Sequence, residues 1–242
     1  EPAASSWLPA YDADPLTGEA NRSSGRIVGV MVNNISYSER QNARPQRGLS
    51  SADLLIESKV EGGITRFCAV YRDADSIPEV GPIRSGRDQF LQLLMPWNIL
   101  YYHDGESIFC TQFVSVYGYS GLNIGGKNYF KTPIHPIVSH RNNRGRDVAY
   151  EHTEFTSGKE IKQAAADAGI GLTYPYEGTF FRFADYRTDA VNDWDAFTHL
   201  NELDGTKATT EFSSDARADS LILCSLNIKD DTIKLVSIER AT

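Results

Sequence analysis

Excess positive charge is missing from this chain, where 24 Lys and Arg face 32 Asp and Glu for a formal net charge of -8. Affinity for a phosphate backbone is driven by a basic surface, so a general nucleic-acid binder is excluded. Cysteine is scarce, at three residues. An odd number rules out a complete disulfide framework. Cys68 and Cys224 lie in apolar, strand-like runs and Cys110 in a predicted helix, without the close spacing of a metal site, so all three read as buried thiols. No apolar run reaches the ~18 to 20 residues of a membrane-spanning helix. The opening residues also lack the charged, apolar and small-residue order of a secretory signal. The five His include no H-x-x-x-H or H-E-x-x-H pair that would suggest zinc, and no G-x-S-x-G elbow marks a hydrolytic serine. G-L-N-I-G-G at 121 to 126 lacks the preceding strand and following helix that a phosphate-binding glycine loop requires.

What is present is enough for a packed core: 242 residues, 40% hydrophobic and 11% aromatic, one large domain or two modest ones. Residues 1 to 25, rich in Pro, Gly, Ser and Asp without apolar periodicity, read as an extended arm. From Arg26 the run I-V-G-V-M-V predicts a buried strand ended by Asn33-Asn34. Asp53 to Val60 and Arg66 to Tyr71 predict two more, joined by a hairpin at Glu61-Gly62-Gly63. Helical spacing then predicts a helix from Ser85 to Leu94, opened by a Ser85/Asp88 capping box and stopped near Pro96. Asn98 to His103 predicts a strand and Glu106 to Tyr117 a helix. Gly118 to Asn143 reads as a long loop, and Ser157/Glu160 as a capping box opening a helix that Gly169 ends. Beyond Pro175 come short aromatic strands, F-F-R-F at 180 to 183 among them, and a final hairpin of Leu221 to Ile228 with Thr232 to Ile238. The expected fold is α/β (α+β), a mixed sheet with packed helices over residues 26 to 175, followed by a smaller β-rich domain over 176 to 242.

The stretch from Arg44 to Arg87 strings short polar motifs between apolar runs and suggests arginines fixed by a β scaffold to hold an anion. The planar guanidinium binds phosphate or carboxylate in a bidentate way and stays charged at any working pH. A two-residue Gly62-Gly63 loop sets Glu61 opposite Ile64, Lys59 opposite Arg66, Glu57 opposite Cys68 and Asp53 opposite Arg72. Alternation then puts Asp53, Glu57, Glu61, Arg66 and Arg72 on one face. Those acids would position Arg66 for an anion or bind a divalent cation through oxygen, the plain alternative being a solvated charged ribbon. In V-G-P-I-R-S-G-R-D a strand runs into the predicted helix start, leaving Arg84 before it and Arg87 in its first turn, where free N–H groups favour an anion.

These motifs resemble the DUF3048 family of bacterial proteins. The resemblance runs from P-L-T-G at 15 to 18 through V-M-V-N-N, A-R-P-Q-R-G-L-S-S-A-D, V-E-G-G-I-T-R-F, V-G-P-I-R-S-G-R and Y-Y-H-D-G-E-S to E-H-T-E-F-T-S-G-K-E at 151 to 160, and weakens after residue 175. It implies an extracytoplasmic lipoprotein, held at the membrane surface by an N-terminal lipidated cysteine just before Glu1, and a second β-rich domain that this chain cuts short. Asp104 stands where relatives tend to carry glycine and Thr153 where they carry asparagine, so the resemblance assigns no role to His103 or His152. The order of acid-bearing strand, turn, strand and P-x-R is also similar to the LytR-CpsA-Psr transferases. That similarity implies a pyrophosphate cradled by Arg66, Arg84 and Arg87, with Mg²⁺ on Asp53.

Three readings follow. The first is an envelope-anchored module binding an anionic, phosphate-containing lipid or glycopolymer through Arg66, Arg84 and Arg87, with Glu57 and Glu61 as supports. The second is a Mg-dependent phosphotransferase or hydrolase using the same cluster with Mg²⁺ on Asp53. The third is a scaffold or protein-interaction protein whose arginines only tie hairpin to helix. Unpaired guanidiniums brought together favour the first two; full pairing with Asp53, Glu57, Glu61 and Asp88 favours the third.

Overall fold

The computed structural model describes residues 13–20, 22–119, 121–123, 138–177, 180, 220–227 and 232–239. The chain divides into two compact units, one of Glu1–Arg22, Glu177–Ser220 and Thr242, the other of Ser23–Tyr176 and Leu221–Ala241. In the first unit, the part of the expected arm that is described folds as turns rather than an extended run. The Asp14 carboxylate accepts from the Leu16 and Thr17 backbone N–H groups, both at 3.0 Å, and the Asp14 carbonyl accepts from Gly18 at 2.8 Å. An Asx turn of this kind is what a buried Asp can offer its own backbone. Of the aromatic strand expected at 180 to 183, only Phe180 is described.

The second unit carries the mixed α/β fold that the sequence predicts. Its strands and helices are β1 (Val28–Asn33), β2 (Leu54–Lys59), β3 (Thr65–Tyr71), α1 (Asp88–Leu94), β4 (Leu100–His103), α2 (Ile108–Tyr117), β5 (Leu122–Asn123), β6 (His140–Arg141), β7 (Glu154–Phe155), α3 (Gly158–Asp167), β8 (Ser220–Asn227) and β9 (Thr232–Glu239). The main sheet runs β5-β4-β1-β3-β2-β8-β9, and β6 and β7 form a small antiparallel pair. β1 is parallel to β4 and antiparallel to β3, with every residue buried. A strand covered on both faces reads as an unbroken apolar run, which V-G-V-M-V is. The last hairpin, read in the sequence as part of the 176 to 242 region, joins this sheet through Leu55 opposite Cys224 and Ile56 opposite Leu223.

Val28, Val30 and Val32 of β1, Ala69 and Tyr71 of β3, and Leu100 and Tyr102 of β4 form one face of the sheet, which packs on Ile161, Ala164 and Ala165 of α3. α3 is opened by the predicted capping box: the Ser157 hydroxyl accepts from the Glu160 N–H at 3.4 Å and donates to the Glu160 carboxylate at 2.8 Å. Gly169, at φ 67°, ends it. On the opposite face, α1 buries Phe90, Leu91 and Leu94. Gly29 lets this helix approach, since a Cβ there would stand 2.9 Å from the Cys68 sulfur and 3.4 Å from a Leu94 methyl.

Two features of the α3 side give testable consequences. A Cβ at Gly158 would overlap the Ala74 carbonyl oxygen, backbone that cannot swing away. Gly158→Ala is expected to destabilise by about 1 to 3 kcal/mol, the usual scale of overpacking, read as a lower denaturation midpoint. His140 is clamped between two carboxylates, Nδ1 2.9 Å from Glu160 and Nε2 3.0 Å from Glu79, while Arg47 pairs with Glu79 at 3.0 Å. Burial works against the imidazolium, but the hydrogen bonds to Glu160 and Glu79 outweigh it and raise the pKa. The folded state therefore holds the proton more tightly than the unfolded chain. The clamp's contribution is complete below about pH 6.5 and is lost as pH rises through the higher folded value. An NMR titration should place the His140 midpoint above that of a model imidazole, and His140→Gln should flatten the decline of stability through that range.

Candidate functional site

The site lies where parallel strands β1 and β4 part. They pair over Val28–Val30 and Leu100–Tyr102; beyond that, the extended segment 82–85 runs between their carboxyl ends. Ile83 bridges Val32, the Asn33 N–H donates to Pro82 at 2.9 Å and the Arg84 N–H donates to Met31 at 3.0 Å, while the Asp104 N–H donates to the Arg84 carbonyl at 3.3 Å. The carboxyl ends of diverging parallel strands are where open α/β sheets form binding crevices. Gly86 follows, donating to Gly105 at 2.8 Å. Any Cβ there would stand 3.0 Å from the His103 and Tyr101 rings.

This wedge gathers the three predicted arginines. Arg66, on β3 opposite Asn33, is 6% exposed and donates through Nη1 to the Ser85 carbonyl at 2.5 Å. The same carbonyl accepts from Arg87 Nη1 at 3.3 Å, and Gly86 O accepts from that nitrogen at 2.8 Å. Arg87 also holds Glu61 through Nε and Nη2 at 2.8 to 2.9 Å. Arg84 differs from both, because its side chain makes no hydrogen bond or ion pair among the described residues. The Nε atoms of Arg66 and Arg84 are buried and without a partner. Burial, reinforced by the charges of Arg87 and Arg84, brings the pKa of Arg66 down to about 10. Burial also lowers that of Arg84, against the opposing fields of Glu151 and Asp104. Both stay cationic near neutral pH.

The acidic predictions fare differently. The hairpin loop is Glu61–Gly63, three residues with Gly62 and Gly63 both at φ 73°, closed by the Val60 N–H to Ile64 at 2.8 Å. It therefore pairs Ser58 with Arg66, Glu57 with Phe67 and Ile56 with Cys68. This is one residue off the expected register, and a slip of one sends alternate residues to the other face. Glu57 and Asp53 thus lie across the sheet from Arg66. Glu57 accepts from Thr65 at 2.5 Å and Asn34 at 3.1 Å. Asp53 is enclosed by Arg72, whose backbone N–H and guanidinium reach both of its oxygens at 2.5 to 3.0 Å. A carboxylate already neutralised by a guanidinium does not fit Mg²⁺, which needs free oxygens in octahedral array. No group of three or more His, Cys, Asp or Glu among the described residues could hold a metal ion. The helix start is also shifted. α1 begins at Asp88 with Arg87 as its N-cap, and the Ser85/Asp88 capping box does not form, because the Gly86 N–H is drawn to Gly105 and the Arg87 N–H donates to the Tyr101 hydroxyl at 3.1 Å. Arg44 and Arg47 brace their loop on Asn34 and Glu79.

The structure adds residues that the sequence pattern did not mark. Glu154 accepts from Ser139 at 2.7 Å and pairs with Arg141 at 3.2 Å, with Asp104 close enough to act on it. Burial first, then Asp104, pushes Glu154 up to about 7. His152 is neutral in this setting: Nδ1 accepts from the Asn33 amide at 3.0 Å and Nε2 donates to Gln41 at 3.0 Å, and burial lowers its pKa. An ionisable residue inside a short strand-like run or at its end, as in T-E-F-T and Y-Y-H-D, is the signal by which Glu154 and Asp104 could have been found.

Comparison with known proteins places these residues in a wider group. The model of the N-terminal domain described as "Protein of unknown function (DUF3048)" matches residues 16–171. The chain is 32% identical over 178 residues to the Bacillus subtilis (strain 168) protein named "Putative lipoprotein YerB", covering 71% of this chain and 48% of that one. It thus spans about half the length of this curated relative. The crystal structure of the Bacillus subtilis YerB protein matches at a TM-score of 0.56 and 25% identity, covering 93% of this chain and 66% of that one.

The raised pKa of Glu154 is measurable. The folded chain holds it above the ordinary carboxylate range, so this group favours folding most below about pH 4.5 and the benefit is lost as pH rises toward 7. Infrared difference spectra should show a protonated carboxyl that ionises near neutrality. The band should vanish in Glu154→Gln, and its persistence in that variant would assign the proton elsewhere.

Proposed function

We propose, from the premise that this chain belongs to the DUF3048 family, that it is a lipoprotein-type, extracytoplasmic envelope module that binds a phosphate-containing ligand through Arg66, Arg84 and Arg87. The observation that carries the reading is the pair of buried, unpartnered guanidinium nitrogens on Arg66 and Arg84. A buried donor without an acceptor costs about 1 to 3 kcal/mol, more when charged. An anion bridging the two relieves that cost with charge-assisted, bidentate hydrogen bonds. Arg87, already held by Glu61, contributes field and position. A pure scaffold would leave the cations matched, as Arg72 is matched by Asp53. The name of the Bacillus subtilis relative supports the location.

One observation favours catalysis as a second reading. Glu154, with a pKa of about 7, acts on Arg84 through space in its ionised form and in its protonated form would supply a proton to a leaving group beside a bound phosphate. Such chemistry would run without the Mg²⁺ that Asp53 cannot seat.

Thermal denaturation with pyrophosphate, inorganic phosphate and soluble phosphate esters tests both. At a hundredfold excess over the dissociation constant, binding should add about 2.7 kcal/mol of stability. Arg84→Gln and Arg66→Gln should abolish the shift. Arg84→Met, which removes an unpaired charge, should leave the unliganded protein as stable or up to about 1 to 2 kcal/mol more so. No shift with any phosphate, or an undiminished shift in both Gln variants, overturns the ligand reading. Metal-independent release of phosphate that Glu154→Gln abolishes would establish the second.

A further inference from the structure

α2 is apolar on the side that faces away from the core. Its sequence, I-F-C-T-Q-F-V-S-V-Y, holds no charged residue. Cys110, Thr111 and Val114 are buried, which accounts for one face. Yet Phe109 is 65%, Val116 69% and Tyr117 61% exposed, and the Phe113 ring lies 4.5 Å from that of Tyr117. At 100° per residue, positions 109, 113, 116 and 117 fall on one stripe. A surface helix ordinarily turns polar side chains outward, so a continuous apolar stripe marks a contact surface.

The helix that carries the stripe starts beside Arg87. Ser107, the N-cap of α2, donates its backbone N–H to the Gly86 carbonyl at 3.2 Å. That same oxygen accepts from Arg87 Nη1 at 2.8 Å. One carbonyl therefore joins the cationic site to the first turn of α2, and exposed Ile108 and Phe109 follow directly. The ten residues of α2 extend about 15 Å, roughly the length of a dozen methylenes. We propose that the ligand of this site is a phosphate-headed membrane amphiphile, its head on Arg66, Arg84 and Arg87 and its hydrocarbon chain laid along Phe109, Phe113, Val116 and Tyr117.

This deepens, and rests on, the phosphate-binding reading. A protein partner fits less well. Standard interfaces use about 20 to 30 residues a side, whereas the stripe is one side chain wide and ends in a cluster complementary to a single anionic group.

Calorimetry on the whole chain with inorganic phosphate and butyl, octyl and dodecyl phosphate, each below its micelle concentration, separates the two claims. Affinity should rise roughly twofold per added methylene, a fraction of the value for complete burial because the stripe is open on one side. Phe109→Ser with Val116→Ser should flatten the chain-length series while leaving inorganic phosphate binding intact, and Arg84→Gln should weaken every member. Dodecyltrimethylammonium should not bind. Equal affinity across the series overturns the tail site but leaves the phosphate site standing. Binding of the cationic amphiphile as tightly as dodecyl phosphate overturns the coupling of head and tail. A wild-type dimer that Phe109→Ser dissociates assigns the stripe to a second copy and overturns the proposal. No phosphate binding at all overturns this inference and the reading beneath it together.

Discussion

The site depends on the segment 82–85 running between the carboxyl ends of β1 and β4. Were those two parallel strands paired to their ends, Arg84 and Ser85 would have no place in the sheet, and Arg66 would face β4 with no carbonyl to meet. The inserted segment replaces β4 as the neighbour of β1, satisfying the Asn33 N–H and the Met31 carbonyl that the divergence would orphan. It also turns the Ser85 and Gly86 carbonyls toward the arginines. Backbone pairing, strong and regular, thereby fixes side chains whose own interactions are unfavourable to one another. The glycine at 86 follows, because the turn back toward Gly105 passes against the His103 and Tyr101 rings.

Two treatments of arginine in one molecule separate structure from site. Arg72 and Asp53 satisfy each other through several hydrogen bonds, and the pair closes the end of the hairpin. Arg66 and Arg84 are drawn into a similarly desolvated setting, beside each other and beside Arg87, with donors left over. Burial and like-charge repulsion both oppose this arrangement. A fold held by a fully buried β1 and by helices on both faces can carry such a strain locally. Strain of that kind persists where the surrounding structure over-determines it, and it clusters at functional sites.

Much of this was legible in the sequence, and the failures have one physical source. Apolar runs located β1 to β4, and capping chemistry located α3, because local interactions decide those. The arginine grouping was legible as well, since G-P-I-R-S-G-R places a strand next to a helix start. The hairpin register was not. Two consecutive glycines fit a two-residue turn and the observed three-residue loop alike, and the difference of one residue moved Glu57 and Asp53 across the sheet from Arg66. The capping box at Ser85 failed for a related reason: Gly86 meets Gly105, far along the chain, and a long-range backbone bond overrode a local signal. Glu154 and Asp104 were invisible as a pair because fifty residues of chain separate them.

An acidic molecule that binds an anion must do so at short range. With a net charge of -8, the distant field repels polyanions, and that field is screened over about 8 Å at physiological salt. The desolvated guanidiniums act within hydrogen-bond distance, where screening is slight and a single phosphate can satisfy two forks. A long polyanionic chain would bring further charges against a surface that opposes them. A ligand with one anionic group and an apolar remainder avoids that penalty, and it gains from the exposed side of α2, which begins at the same carbonyl that Arg87 holds. Charge balance and helix polarity, two independent properties of the chain, thus both support the proposed kind of ligand.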